Sequence, residues 1–222
     1  MIHGLPIPRF LMIETDLTVA RPATERAMDC QGVRGRALDL HVRDMTSIGG
    51  LPVTSVERTW CDLAARLSLP QLVSAGDAAL NWRHPLTTPA ALFAGMTRFQ
   101  SRRGIRNIRL ALPLLTSHSD SPKESELRMA IIGSGLPRPI PNFLVTYLDG
   151  HPLHVDLAFP DHKVALEFEG DGHRTEEIQW NRDLDRGNLL QAEGWIVIRV
   201  GAALLQDLPG LLRMLARILA TR

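Results

Sequence analysis

Apolar and polar positions change period along the 222-residue chain. Residues 53–80, VTSVERTWCDLAARLSLPQLVSAGDAAL, carry apolar side chains at helical spacing with an interruption at Pro70, which predicts two consecutive helices. Residues 37–45, ALDLHVRDM, alternate instead and predict a strand. Farther on, SPKE opens a capped helix with proline at its first position, ending near Gly133 to Gly135. Strands are predicted over 143–148, 153–159, 164–168 and 195–200, the last reading WIVIRV. A helix over 176–193, closed by Gly194, lies between the third and fourth of these, and an amphipathic helix starts near Asp207. A helix of that length between strands predicts a parallel, right-handed crossover, hence an α/β sandwich around a small mixed sheet.

The polar stretch TSHSDSP, residues 116–122, suits a linker because its side chains hydrogen-bond their own backbone. The predicted organisation is therefore a smaller, mainly helical α+β domain over 1–115 and an α/β domain over 116–222. A formal charge of +1 leaves the partner open, since local basic clusters can still contact phosphate. Cys30 and Cys61 show no CxxC spacing and read as small buried hydrophobes. No apolar leader and no bilayer-length apolar run is found, so a cytoplasmic protein without membrane contact is expected. Residues 98–109 hold five arginines and no acid, on what reads as a helix leading into LALPLL. That run is either a solvated face or a phosphate-contacting one.

The chemistry is sharpest at the hairpin HVDLAFPDHKVALEFE, where Asp161 and His162 read as a two-residue loop that sets the pairing. Phe159 then faces Val164, Leu157 faces Leu166 and Val155 faces Phe168, giving one apolar face. On the other face Ala158 meets Ala165, Asp156 meets Glu167 and His154 meets Glu169. Opposed carboxylates repel unless a positive charge lies between them or one is protonated, and a divalent cation would meet that need. Oxygen donors on rigid strands suit Mg²⁺ or Mn²⁺ rather than zinc. The two alanines would leave room for substrate. The alternative is a solvent-exposed face whose acids discourage edge aggregation.

Glu124 shares a helical face with Leu127 and Ile131 and so points toward the sheet, although it is also the capping-box glutamate. Gln179, Asp183 and Arg186 share a face of the crossover helix beside Arg182, and His173 follows a GDG turn. The latter reads as a turn or packing histidine more than as a base. Trp180 and Trp195 are expected in the core.

Taken in order, SPKESELR, GLPRPIPN, HVDLAFPDHKVALEFEGDGHRT and QWNRDLDRGNLLQAEGWIVIRV resemble the domain-of-unknown-function 559 family, a relative of the very-short-patch repair endonucleases. The resemblance covers residues 121–222 and implies a PD-(D/E)XK nuclease sandwich of helix, three strands, helix, strand and helix. It implies Asp156 and Glu167 as the central acids, with the Phe168 carbonyl and Glu124 as further metal donors and Mg²⁺ or Mn²⁺ as cofactor. Gln179, Asp183 and Arg186 would match the signature on the following helix. Glu169 departs from the lysine or aspartate usual at its position and would act as base or extra ligand. LPVTSVERTWCDLA resembles a segment of proteins related to AbiEi-type antitoxins.

The expected activity is metal-dependent hydrolysis of DNA phosphodiesters, as used in repair or defence, with Arg182, Arg186 and His173 supporting the site or its phosphates. The rival expectation is a non-catalytic DNA-binding or antitoxin-like regulator on the same scaffold, which the glutamate at 169 favours.

Overall fold

The computed structural model describes residues 2–14, 16–26, 30–101, 103–148, 150–169 and 186–222. They are mixed α/β and divide into two compact units, Met1–Ser117 and His118–Arg222.

In the first unit a short helix α1 (Arg9–Met12) precedes two small sheets. β1 (Leu17–Pro22) runs parallel to β2 (Val33–Leu38), and β3 (Met45–Ile48) runs antiparallel to β4 (Leu51–Thr54). The second hairpin turns through Gly49 and Gly50, both at positive φ, a pair of conformations that glycine adopts without steric penalty. The strand expected over 37–45 is corrected. β2 ends at Leu38, and residues Val42–Asp44 form a single 3-10 turn. Ion pairing decides this, because Asp44 is drawn inside to meet two arginines while Val42 stays 72% exposed.

Four helices follow: α2 (Val56–Leu63), α3 (Leu69–Leu80), α4 (Pro89–Arg98) and α5 (Ile105–Ala111). Ser55 Oγ accepts from Arg58 N at 3.3 Å and caps α2, while Ser68 and Gln71 form the capping box of α3. Pro70 lies in the first turn of α3, where its missing N–H would have found no intrahelical acceptor. The sequence LPVTSVERTWCDLA is thus used for structure. Trp60 is fully buried and donates Nε1–H to the Leu72 carbonyl at 2.9 Å. Arg58 is buried against Asp44 at 3.5 Å and Asp62 at 3.1 Å, donates to the Asp39 carbonyl, and stacks over Phe99. Arg98 Nε completes the network on Asp44 at 2.9 Å. Cys61 lies beside it, and burial pushes its thiol up to about 12, which makes it unreactive. Cys30 is exposed, contrary to expectation.

The arginine-rich run is not one helix. α4 ends at Arg98 and α5 starts at Ile105, with Gly104 at φ 85° between them. A Cβ on Gly104 would come within 2.7 Å of Ala65 N and 2.8 Å of the Ala64 carbonyl carbon, so close approach to the end of α2 forces the break.

In the second unit, α6 (Pro122–Gly133) leads to a four-stranded sheet in the order β5 (Ile140–Leu148), β6 (His151–Phe159), β7 (Val164–Phe168) and β8 (Ile196–Val200). Only β7 and β8 are parallel. Helical residues 186–192, here α7, precede β8, and Gly194 closes them at φ 80°. α8 (Ala202–Gln206) and α9 (Leu208–Ala220) end the chain, α9 being capped by Asp207 through the Gly210 amide. α8 has no counterpart in the sequence expectation.

Both sheet faces are covered. Leu157, Phe159, Val164, Leu166, Ile198 and Val200 pack with Leu127 and Ile131 of α6 and with Leu211, Leu215 and Leu219 of α9. The spacing of those three leucines keeps them on one stripe of the helix. Full burial of each such side chain contributes roughly 1.5–3 kcal/mol. A second cluster joins Leu153, Val155, Ala158 and Ala165 to Leu190 and Trp195. At the end of the first unit Thr116 N donates to Asp77 at 2.8 Å, and at the start of the second buried Ser119 accepts from Ser125 Oγ at 2.8 Å.

Candidate functional site

The β6–β7 hairpin positions the acids. Phe159 pairs with Val164, Ala158 with Ala165 and Leu157 with Leu166, the register expected from the sequence. The loop differs. Pro160–His162 form a 3-10 turn and Lys163 takes a left-handed φ of 50°, so Pro160 and Lys163 belong to the loop with Asp161 and His162. Lys163 N donates to the Pro160 carbonyl at 3.0 Å and closes it.

The ladder stops at Leu157 and Leu166. Beyond it, Asp156 Oδ2 accepts the Phe168 N–H at 2.6 Å, a side chain taking the place of a strand carbonyl. Phe168 therefore meets Asp156 through its amide. Burial pushes the Asp156 carboxyl up to about 6, reinforced by the charges of Glu124 and Glu167 and opposed by the Phe168 amide and Arg186. Three carboxylates thus share one electrostatic neighbourhood.

Their repulsion is relieved within the chain. Arg186, on α7, donates Nε–H and Nη2–H to Glu167 Oε1 at 2.9 and 2.6 Å, and also donates to the His154 carbonyl. Within the chain the Arg186 guanidinium compensates Glu167, while burial and the neighbouring acids raise the proton affinity of Asp156. Arg186, expected to support the site or its phosphates, is engaged on Glu167. Glu124 Oε2 accepts from Asp120 N, one position before the N-cap Ser121, at 2.9 Å, so the reciprocal bond of the expected capping box is shifted outward by one residue, while burial raises its carboxyl above the ordinary range.

Glu169 is exposed at the end of β7, 3.8 Å from Arg199. His154, expected opposite Glu169, instead has its ring Nδ1 2.9 Å from the Asn142 carbonyl. Ala158 and Ala165 are fully buried under Leu190 and Trp195, which corrects the idea that they leave room for substrate; they make room for α7. His173, Gln179, Arg182, Asp183 and Trp180 lie outside the described residues.

The sequence reading missed Arg199, which faces Glu167 in the parallel β7–β8 register. The single charge within WIVIRV was its only signal. Gly187 lies beside it, and a Cβ there would sit at an ordinary van der Waals distance of 3.5 Å from Arg199 Nη2.

Among the described residues no group of three or more His, Cys, Asp or Glu side chains is gathered closely enough to hold a metal ion. The described helices include none long and apolar enough to cross a membrane.

A pH dependence follows from Asp156. Its carboxyl rises from an ordinary 3.8 to about 6 on folding, so between those values the native chain holds a proton that the unfolded chain has released. The associated stability is present below about pH 4 and lost as pH rises through 6. In chelator, thermal melts of the native sequence should therefore lose on the order of 2–3 kcal/mol more between pH 4.5 and 7.5 than those of Asp156→Asn. Parallel pH profiles for the two proteins would show that the group does not titrate this way.

No family model matches the chain, and no solved structure matches it. Two proteins of Mycobacterium tuberculosis, one from each of two strains and both named as uncharacterized, are 29% identical to it over 171 residues. The match covers 77% of this chain and 62% of each relative, less than two thirds of their length.

Proposed function

We propose that the unit His118–Arg222 is a metal-dependent DNA endonuclease with a PD-(D/E)XK-type sandwich. The observation that carries this reading is the convergence of Asp156 and Glu167 at the end of one hairpin, with the charge of Glu124 felt at Asp156. The resemblance of residues 121–222 to the 559 family supports the same assignment.

The residues suit a hard divalent cation in kind. Carboxylate oxygens are its preferred donors, and burial first, then the charges of Glu124 and Glu167, raise the proton affinity of Asp156, a rise that a cation would oppose. Asp156 and Glu167 would hold Mg²⁺ or Mn²⁺, with the Phe168 carbonyl and Glu124 as further donors. When bound, the ion would lower the pKa of water and neutralise charge developing on the phosphate. For its part, the chain fixes Asp156 through the Phe168 amide, holds Glu167 in place through Arg186, and keeps Glu169 accessible to accept a proton. A guanidinium shared between a carboxylate and a carbonyl is also placed to turn toward a phosphate oxygen.

One observation favours a second reading, a DNA-binding or antitoxin-like regulator without catalysis. Arg186 already neutralises Glu167, and Glu169 pairs with Arg199, so the acids have partners in the chain itself. Supercoiled plasmid separates the readings: the nuclease nicks it with Mg²⁺ and stops with chelator, whereas the regulator binds without nicking. Calorimetric titration with Mn²⁺ adds an independent measure, and absence of both heat and nicking would reject the nuclease.

A further inference from the structure

The first unit carries a basic face that the nuclease reading does not use. Arg103, Arg106 and Arg109 are all exposed, the latter two one turn apart on α5. Five other arginines of this unit, though not Arg9, Arg36 or Arg43, are spent on carboxylates: Arg21 on Glu25, Arg34 on Asp16, Arg66 on Glu14, and Arg98 with Arg58 on Asp44. None of the three forms an ion pair with a described residue, and residues 99–119 contain no aspartate or glutamate.

The surroundings of α5 preserve this imbalance. α3 packs on it and has a single carboxylate, Asp77, which is buried and accepts from Thr116 N. The following turn, Leu112–Leu114, has no charge. Like charges held together without counter-ions disfavour folding, so such a cluster on a well-packed element is suited to a polyanion. The element is also fixed. Ile108 and Ala111 are fully buried, and Asn107 Nδ2 donates to the Ala64 and Leu67 carbonyls at 3.3 and 3.0 Å. Gly104 seats the start of the helix against the end of α2. Two of the guanidiniums are thereby displayed from a short rigid helix, and the third from the bend that leads into it. Planar, bidentate donors of this type match phosphate oxygens.

We infer that Arg103, Arg106 and Arg109 form a contact surface for the phosphate backbone of duplex DNA, assigning a nucleic-acid-binding role to the first unit. The inference shares with the proposed function the identity of the partner, but not the cleavage chemistry. Phosphate contacts of this kind add affinity and salt dependence without reading sequence.

The test uses the full chain in chelator, with fluorescence anisotropy on a labelled duplex of mixed sequence between 50 and 200 mM KCl. Replacing all three arginines with alanine should make the log affinity against log salt plot shallower by about 2.7, because each lost phosphate contact removes about 0.9. The corresponding triple lysine variant should keep the slope. Unchanged affinity and slope in the alanine variant, or no binding of duplex by the native sequence, overturns the inference; preference for single-stranded RNA over duplex overturns the choice of DNA. Duplex binding without any nicking by the native sequence would leave this inference standing while rejecting the nuclease.

Discussion

Replacing Asp156 with asparagine is expected to reduce Mg²⁺-dependent nicking by about 10³-fold or more while leaving the fold intact. Asparagine keeps the shape of aspartate and an oxygen that can accept the Phe168 N–H now 2.6 Å from Oδ2, so the end of the hairpin loses charge but not its bond. A metal ion supplies several kcal/mol of transition-state charge stabilisation, and about 4 kcal/mol corresponds to about 10³ in rate. The same change removes a carboxylate that folding holds up to about 6, so the metal-free variant should melt at or above the native temperature at pH 7.5. Mg²⁺ should raise the melting temperature of the native sequence and not of the variant. Nicking at the native rate by Asp156→Asn would remove the catalytic assignment. A variant that unfolds would be recognised by circular dichroism, and Glu167→Gln then offers the same comparison on the neighbouring strand.

The second large effect belongs to the first unit. Arg58→Met should destabilise that unit by about 3–5 kcal/mol, the usual cost of removing one partner from a buried ion pair. Arg58 is 6% exposed and Asp44 2% exposed, and the guanidinium also bonds Asp62 and the Asp39 carbonyl and lies 5.3 Å from the Phe99 ring centroid. Asp62 is already held above its ordinary range by burial, with Arg58 opposing that rise, so losing the arginine strands a buried carboxyl. Urea unfolding followed by tryptophan fluorescence in a background with Trp180 and Trp195 replaced by phenylalanine, which leaves Trp60 and Trp82, reads this unit. Because stranded charge is the cause, Asp62→Asn in the Arg58→Met background should recover part of the loss. A loss below about 1 kcal/mol, or no recovery, would mean that the network contributes little beyond packing.

These two results bear on different kinds of sequence signal. Asp156 stands out as the one carboxylate of its strand, and alternation predicts it opposite Glu167, although the ladder stops at Leu157 and Leu166 and Asp156 bonds the Phe168 amide instead. Arg58 gives no such signal. It sits at an ordinary helical position, and its partner Asp44, with the Arg98 that shares that carboxylate, comes from a turn and a helix distant in sequence. Reading residues 37–45 as a strand failed for that reason: alternation was visible, but the pull of two arginines on Asp44 was not. The single helix expected for the arginine-rich run failed similarly, because Gly104 is tolerable in a helix on local grounds and breaks this one through its closeness to Ala64 and Ala65.

Within the second unit, helix caps, strand positions and the pairing of Phe159 with Val164 were legible in residues a few positions apart, since hydrophobic period and turn chemistry act over that range. The tertiary structure alone decided what meets the acids. It set Arg186 on Glu167, Arg199 near Glu169, and Leu190 with Trp195 over the alanines expected to face substrate. The physical reason is one of range. A short loop constrains which residues oppose each other, whereas the charge a carboxylate finally faces depends on chain segments that reach it only when the sheet and its covering helices pack.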